Sequence, residues 1–214
     1  VIEGPIVGHF HEWLAGAGLL HLKRNRVKVG TVFTTHATML GRTLASADID
    51  LYNVLDTINP EEEARKRGQG LWAKYQIERL CANNADVFTT VSEITGIEAE
   101  KLLGRKPDVL VFNGLDMEKF PTFEESSVHH KLFKNKIFDF ILYHFFPYYS
   151  FDLDNTLIYF LSGRYEFHDK GIDVFIQALG KLNDKLKNDK VQKTVVTFFW
   201  VPGNIRGIKP EVLE

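Results

Sequence analysis

Short β-rich runs alternate with helical patterns along most of this chain, and no other feature so narrows the folds open to it. The runs cover residues 27–34, 86–91, 108–112, 157–162 and 194–201. Strands separated by helices of this length predict parallel sheets with crossover helices. Between the first two runs, Pro60-Glu61-Glu62-Glu63 opens a helix, with Leu71, Trp72, Tyr75, Ile77 and Leu80 following before Asn83-Asn84 ends it. Ser92 caps a helix over 93–103. The clearest helix starts at Gly171 and reaches about Asn188, and Ile172, Phe175, Ile176, Leu179, Leu182 and Leu186 on one face predict core.

The rhythm breaks between the turn dipeptide Asn113-Gly114 and Phe151. Residues 128–146 instead read as one long helix carrying Leu132, Phe133, Ile137, Phe140, Ile141 and Phe145. The cluster His144-Phe145-Phe146-Pro147-Tyr148-Tyr149 would form a partner-binding patch if exposed. Core packing is the expectation for its Phe residues and less so for Tyr148 and Tyr149.

The chain has 214 residues, 44% of them hydrophobic and 25% charged, which suits one large or two small globular domains. Twenty-six basic and 28 acidic residues leave a net charge of −2 and so no overall field for nucleic acid or a membrane. Any anion site must therefore be local. A single cysteine, Cys81, excludes an intrachain disulfide, fits a reducing compartment and is expected to pack inside a helix. No apolar stretch is long enough to span a bilayer, and no secretory signal opens the chain, so a soluble, cytoplasmic protein is expected. A start at Val1 and an end at Glu214, just after Pro210 where a helix begins, read as an excerpt of something longer.

Gly163-Arg164-Tyr165-Glu166-Phe167-His168-Asp169-Lys170-Gly171 sits between the run at 157–162 and the amphipathic helix, the order strand, phosphate-sized loop, helix. Its glycines let backbone approach a ligand, and anions are favoured at a helix N-terminus. Arg164 can fork two phosphate oxygens, and Lys170 can act as a point charge. Two further turns are expected at a sheet edge of the kind where open α/β proteins bind ligands. One carries His9-Phe10-His11-Glu12-Trp13. The other carries Thr34-Thr35-His36-Ala37-Thr38 and ends in Gly41-Arg42. His-x-His without a third ligand is a weak metal signal, so no metal is assigned.

These segments, with Ala85-Asp86-Val87-Phe88-Thr89-Thr90-Val91-Ser92, Lys106-Pro107-Asp108 and Asn113-Gly114-Leu115, resemble eukaryotic-type glycogen synthase in order and spacing across the whole chain. The resemblance implies a GT-B fold, two Rossmann-like domains facing a cleft. Both would be incomplete here: 1–117 would be the later part of the N-terminal domain, 118–150 a helical insertion for oligomerisation and regulation, and 151–214 the first part of the C-terminal nucleotide-sugar domain. It implies transfer of glucose from UDP-glucose to the nonreducing end of an α-1,4-glucan with retention at the anomeric carbon. His36 would lie next to the transferred glucose, Arg42 near the phosphates, and Glu12 and His11 on the acceptor side. Arg164 and Lys170 would grip the UDP diphosphate. With fixed cations at that position, neither a metal nor another cofactor is expected.

The same resemblance implies a homo-oligomer, a tetramer in the family, with glycogenin as a candidate partner. It places His130 and Lys134, four apart on one helix face, in a glucose-6-phosphate site. Ser127 stands where the family has a glutamine. The family's glycine-rich donor loop would precede Val1, and its carboxylate motif and regulatory arginine helix would follow Glu214, so the chain alone is expected to be a poor catalyst.

Other readings stay open. The segment could be a catalytically incomplete interaction module, or part of another GT-B transferase such as a phosphorylase or sucrose synthase. Asp152-Leu153-Asp154-Asn155-Thr156 resembles the first motif of HAD-type phosphatases, with Asp152 as nucleophile and Asp154 as general acid. That motif should close an apolar strand, whereas Pro147-Tyr148-Tyr149-Ser150 precedes it.

Overall fold

A computed structural model describes residues 4–146, 148–150, 152–203 and 207. Pro147 of the aromatic cluster, Phe151 and the helix start expected after Pro210 lie outside the described residues. The chain divides into two compact units, Val1–Leu115 and Asp116–Glu214.

In the first unit, β1 (Val7–His11), β2 (Gly30–Thr35), β3 (Val87–Thr90) and β4 (Val109–Leu110) form a parallel sheet in sequence order. The register sets Phe10 beside Phe33, and Phe33 beside Phe88. The connections are helical. Helix α1 (Glu12–Arg24) joins β1 to β2, and α6 (Glu93–Leu103) joins β3 to β4. Between β2 and β3 run α2 (Met39–Ala45), α3 (Leu51–Val54), α4 (Pro60–Lys66) and α5 (Gln69–Asn84). This is the α/β pattern with parallel strands that the alternation predicts.

Leu19, Phe33, Leu40, Leu44, Tyr75, Phe88, Leu102 and Leu103 make the core, with the Phe33 and Phe88 rings stacked at 6.0 Å. Cys81 is buried among them as expected, and burial pushes its thiol up to about 12. Threonines hold the sheet interior by bonding one another: Thr34 Oγ1 and Thr89 Oγ1 lie 2.6 Å apart across neighbouring strands. Ser92 caps α6 as expected, its hydroxyl accepting from Thr95 N.

Two expectations change here. The strand foreseen at 27–34 starts later, at Gly30, while the strand expected to lead into the His9 to Trp13 turn covers 7–11. The helix foreseen from Pro60 to Asn83 is two helices, because Gly68 takes φ 100° and ψ 164°, a backbone conformation open in practice only to glycine. Re-aimed there, the second helix buries Tyr75 and Glu78 but leaves Leu80 45% exposed.

In the second unit, a 3-10 turn (Met117–Lys119) precedes α7 (Phe123–Phe145), which begins five residues before the expected start at 128. A capping box fixes that start: Thr122 accepts from Glu125 N, and the Glu125 carboxylate accepts from Thr122 N. Strands β5 (Thr156–Ser162) and β6 (Thr194–Trp200) pair in parallel through α8 (Ile172–Asn188). Only Ile172 of the six apolar α8 residues is fully buried, and Ile176 is exposed. The remaining four are half-covered, so the face read as core is open along much of its length in this unit. Phe145 and Phe146, expected in the core, are exposed together with Tyr148 and Tyr149.

Candidate functional site

In the first unit the strand ends converge as the turns require. β1 ends at His11 and β2 at Thr35, so Glu12 and His36 are the first residues past neighbouring strands. The side chains meet there. His11 Nδ1 and His36 Nε2 lie 3.1 Å apart, the His9 and His11 rings are 4.2 Å apart, and His9 Nε2 lies 2.7 Å from Thr34 Oγ1. Glu12 accepts from the His36 backbone N–H at 2.8 Å. Glu12 also adopts φ 61° at the head of α1, a left-handed backbone unusual for a residue with a Cβ, of the kind that clusters at functional sites.

His11 is held below the ordinary imidazole range, chiefly by burial and then by His9 and His36, with Glu12 opposing. His11 is thus biased towards its neutral, hydrogen-bonding form. Among the described residues no group of three or more His, Cys, Asp or Glu is placed to hold a metal ion.

Arg42 is placed differently from its expectation. Gly41-Arg42 is not at the strand-to-helix turn but inside α2, because Thr38 caps that helix earlier by accepting from Gly41 N. Arg42 still acts on this corner, since its charge reaches the buried carboxylate of Glu78.

Glu78 is the residue that sequence reasoning missed. It is fully buried in α5, where its Oε1 accepts from Thr35 Oγ1 at 2.6 Å and its Oε2 from Met39 N at 2.9 Å. Burial pushes its carboxyl up to about 7. In the sequence it is one more charge in a helix of mixed polarity. The available signal was its position three residues after Tyr75 and three before Cys81, on the stripe facing the core.

In the second unit the loop after β5 has the predicted order of strand, loop and helix. Glu166 organises its cations: Oε1 lies 3.1 Å from Arg164 Nη2, and Oε2 lies 4.0 Å from Lys170 Nζ. The aliphatic stem of Lys170 packs over Gly163. Gly171 is needed for its conformation rather than for close approach, since it caps α8 with φ 66° and nothing crowds its missing side chain. His168 Nδ1 reaches Asp173 Oδ2 at 2.9 Å in the first turn of α8. Both cations stay solvent-accessible in the loop that leads into α8, side chains suited to a phosphate group.

His130 and Lys134 lie on one face of α7 and line a groove of about 470 Å3 with Phe133, Ile137, Leu157 and Phe160. Ser127 turns back on its own helix, its hydroxyl donating to Phe123 O at 3.1 Å. The Asp152 carboxylate caps a turn, accepting from Asp154 N and Asn155 Nδ2. That turn precedes β5, so Asp152 and Asp154 sit at the entry of a strand and not at its exit, contrary to the phosphatase arrangement. No helix of the described residues is long and apolar enough to cross a membrane.

Comparison with known proteins gives one consistent result. The family model for glycogen synthase matches residues 2–214. The chain is 49% identical over 210 residues to isoform 1 of glycogen (starch) synthase from Saccharomyces cerevisiae, a match covering 98% of this chain and 29% of the relative. Against isoform 2 of the same yeast it is 50% identical over 213 residues, covering 99% and 30%. Against the human liver glycogen (starch) synthase it is 45% identical over 209 residues, covering 98% and 29%. The chain therefore spans about 30% of the length of the curated relatives it matches.

Proposed function

Because this chain belongs to the glycogen synthase family, we propose that the protein containing it transfers glucose from UDP-glucose to the nonreducing end of an α-1,4-glucan, with retention at the anomeric carbon. The observation that carries the reading is the loop after β5, where Glu166 holds Arg164 and Lys170 together at the head of α8. In this reading the two cations bind the diphosphate of the donor. As the glycosidic bond breaks, negative charge grows on the departing diphosphate and positive charge on the sugar. Fixed cations at the phosphates therefore stabilise the transition state more than the ground state. No metal or further cofactor is assigned.

His36 is proposed to lie beside the transferred glucose, with Arg42 contributing positive charge behind it and Glu12 and His11 on the acceptor side. The meeting of His11, Glu12 and His36 at adjoining strand ends supports this grouping. The α/β units with parallel sheets are consistent with a GT-B enzyme in which 1–117 and 151–214 belong to opposite Rossmann-like domains and 118–150 is an insertion. His130 and Lys134 are proposed for glucose-6-phosphate, and their shared groove supports that pairing. The exposed Phe146, Tyr148 and Tyr149 favour a subunit contact, in a homo-oligomer that is a tetramer by family resemblance. Glycogenin as partner and a cytoplasmic setting complete the proposal.

Calorimetric titration of the full-length protein with UDP tests it. Wild type is expected to bind saturably, and replacing Arg164 and Lys170 together with alanine is expected to abolish binding at unchanged thermal stability. Unchanged affinity in that variant overturns the assignment.

A further inference from the structure

The two oxygens of Glu78 receive bonds from opposite ends of one short segment, Thr35 Oγ1 before His36 and Met39 N after it. Two other carboxylates hold the same segment. Glu12 of α1 takes the His36 N–H, and Glu98 of α6 takes the Thr38 hydroxyl at 3.0 Å. Three helices thus pin five residues of backbone, and the residue at the centre is His36. Of the three anchors only Glu78 is fully buried. A buried carboxylate is a costly way to hold a loop that a neutral amide of the same shape could also hold.

We propose that Glu78 is a positioning residue for His36, its ionised carboxylate holding the 35–39 segment in the geometry that glucosyl transfer requires. The inference rests on the reading of His36 as a donor-site residue. Charges acting on Glu78 come from Glu12 of α1, which disfavours ionisation, and Arg42 of α2, which favours it; Glu78 acts in turn on Tyr75 and Cys81 of its own helix. With burial raising the carboxyl to about 7, the ionised clamp is gained as pH rises through neutrality.

Stability runs the other way. A carboxyl whose folded pKa lies above its unfolded value makes the fold less stable as pH rises from about 4.3 to about 7, because over that range the unfolded state releases a proton that the folded state still holds. A neutral isostere escapes that loss. A merely structural role therefore predicts that Glu78→Gln is as stable as wild type at pH 8 or more so, with normal turnover. The positioning role predicts the same stability with impaired turnover.

The experiment compares wild type, Glu78→Gln and Thr35→Val as full-length proteins. Thermal unfolding, transfer from UDP-glucose between about pH 5.5 and 9, and NMR of selectively labelled histidine are measured together. In Glu78→Gln we expect kcat to fall on the order of 10- to 100-fold, as for a small misplacement of a reacting group, with KM for UDP-glucose changed less than about twofold. The kcat rise through about pH 7 in wild type disappears, and the His36 ring signals shift. Thr35→Val, which removes one donor to the same carboxylate, lowers kcat in the same direction. Wild-type kcat and unmoved His36 signals in a folded Glu78→Gln or Thr35→Val overturn the inference. If wild type transfers no glucose, the functional reading fails, and the His36 signals alone then decide whether Glu78 positions this loop.

Discussion

His11 Nδ1 and His36 Nε2 face each other at 3.1 Å, so one nitrogen donates a proton and the other must accept it. Both rings cannot be fully protonated while this contact stands. His11 is already held below the ordinary imidazole value by burial and by its histidine neighbours. Its folded pKa thus lies under the unfolded one, so the folded state is favoured at neutral pH and loses stability as pH falls below about 6.5. Glu78 adds stability as pH falls over the same range, so the decline is read as a difference: His11→Gln should become more stable relative to wild type in thermal unfolding as pH falls from about 8 to 5. A variant as acid-sensitive as wild type would refute the coupling.

Gly68 breaks what would otherwise be one helix, at φ 100° and ψ 164°. Gly68→Ala should cost about 1–3 kcal/mol in denaturant unfolding, because any side chain is strained in that conformation. The loss should come without a change of slope, since the surface exposed on unfolding stays the same.

Asp86 joins three donors: Lys23 Nζ at 2.6 Å, Thr31 N at 2.8 Å and Thr31 Oγ1 at 2.9 Å. The Lys23 ammonium first, and the Thr31 donors after it, bring its carboxyl down to about 2. A depressed carboxylate stabilises the fold above the unfolded value of about 3.9 and loses that contribution as pH falls towards about 2. Asp86 is half exposed, so solvent screening keeps its ion pair weak. Asp86→Ala should therefore cost only about 1 kcal/mol at neutral pH, mostly from the orphaned Thr31 N–H. The gap from wild type should narrow in acid unfolding.

Thr122 and Glu125 exchange bonds at the head of α7. Thr122→Ala should lower stability by about 0.5–2 kcal/mol, and amide exchange in the first turn of α7 should quicken while α8 is unaffected.

Much of this architecture was legible in the residues. Gly171, the acids after Pro60, and Ser92 three residues before Thr95 are local signals, and each marks the element boundary it suggested. The loop from Gly163 to Gly171 was legible for the same reason, because the cations and the carboxylate between them lie within seven residues. Ile176 was misread because periodicity reports which face is apolar, not how much of that face another element covers. Arg42 was misplaced by a cap at Thr38 that begins its helix sooner than the Gly41 signal suggested.

Propensity, capping and charge act over a few residues, so the residues alone carry the alternation of strands and helices and the charges present at each turn. Only the tertiary structure decided that His11 meets His36 across 25 residues and that Glu78 reaches Thr35 across 43. Such pairings depend on which strands lie side by side and which helix packs beneath them. That in turn is set by burial of the whole apolar surface, a property no short segment contains.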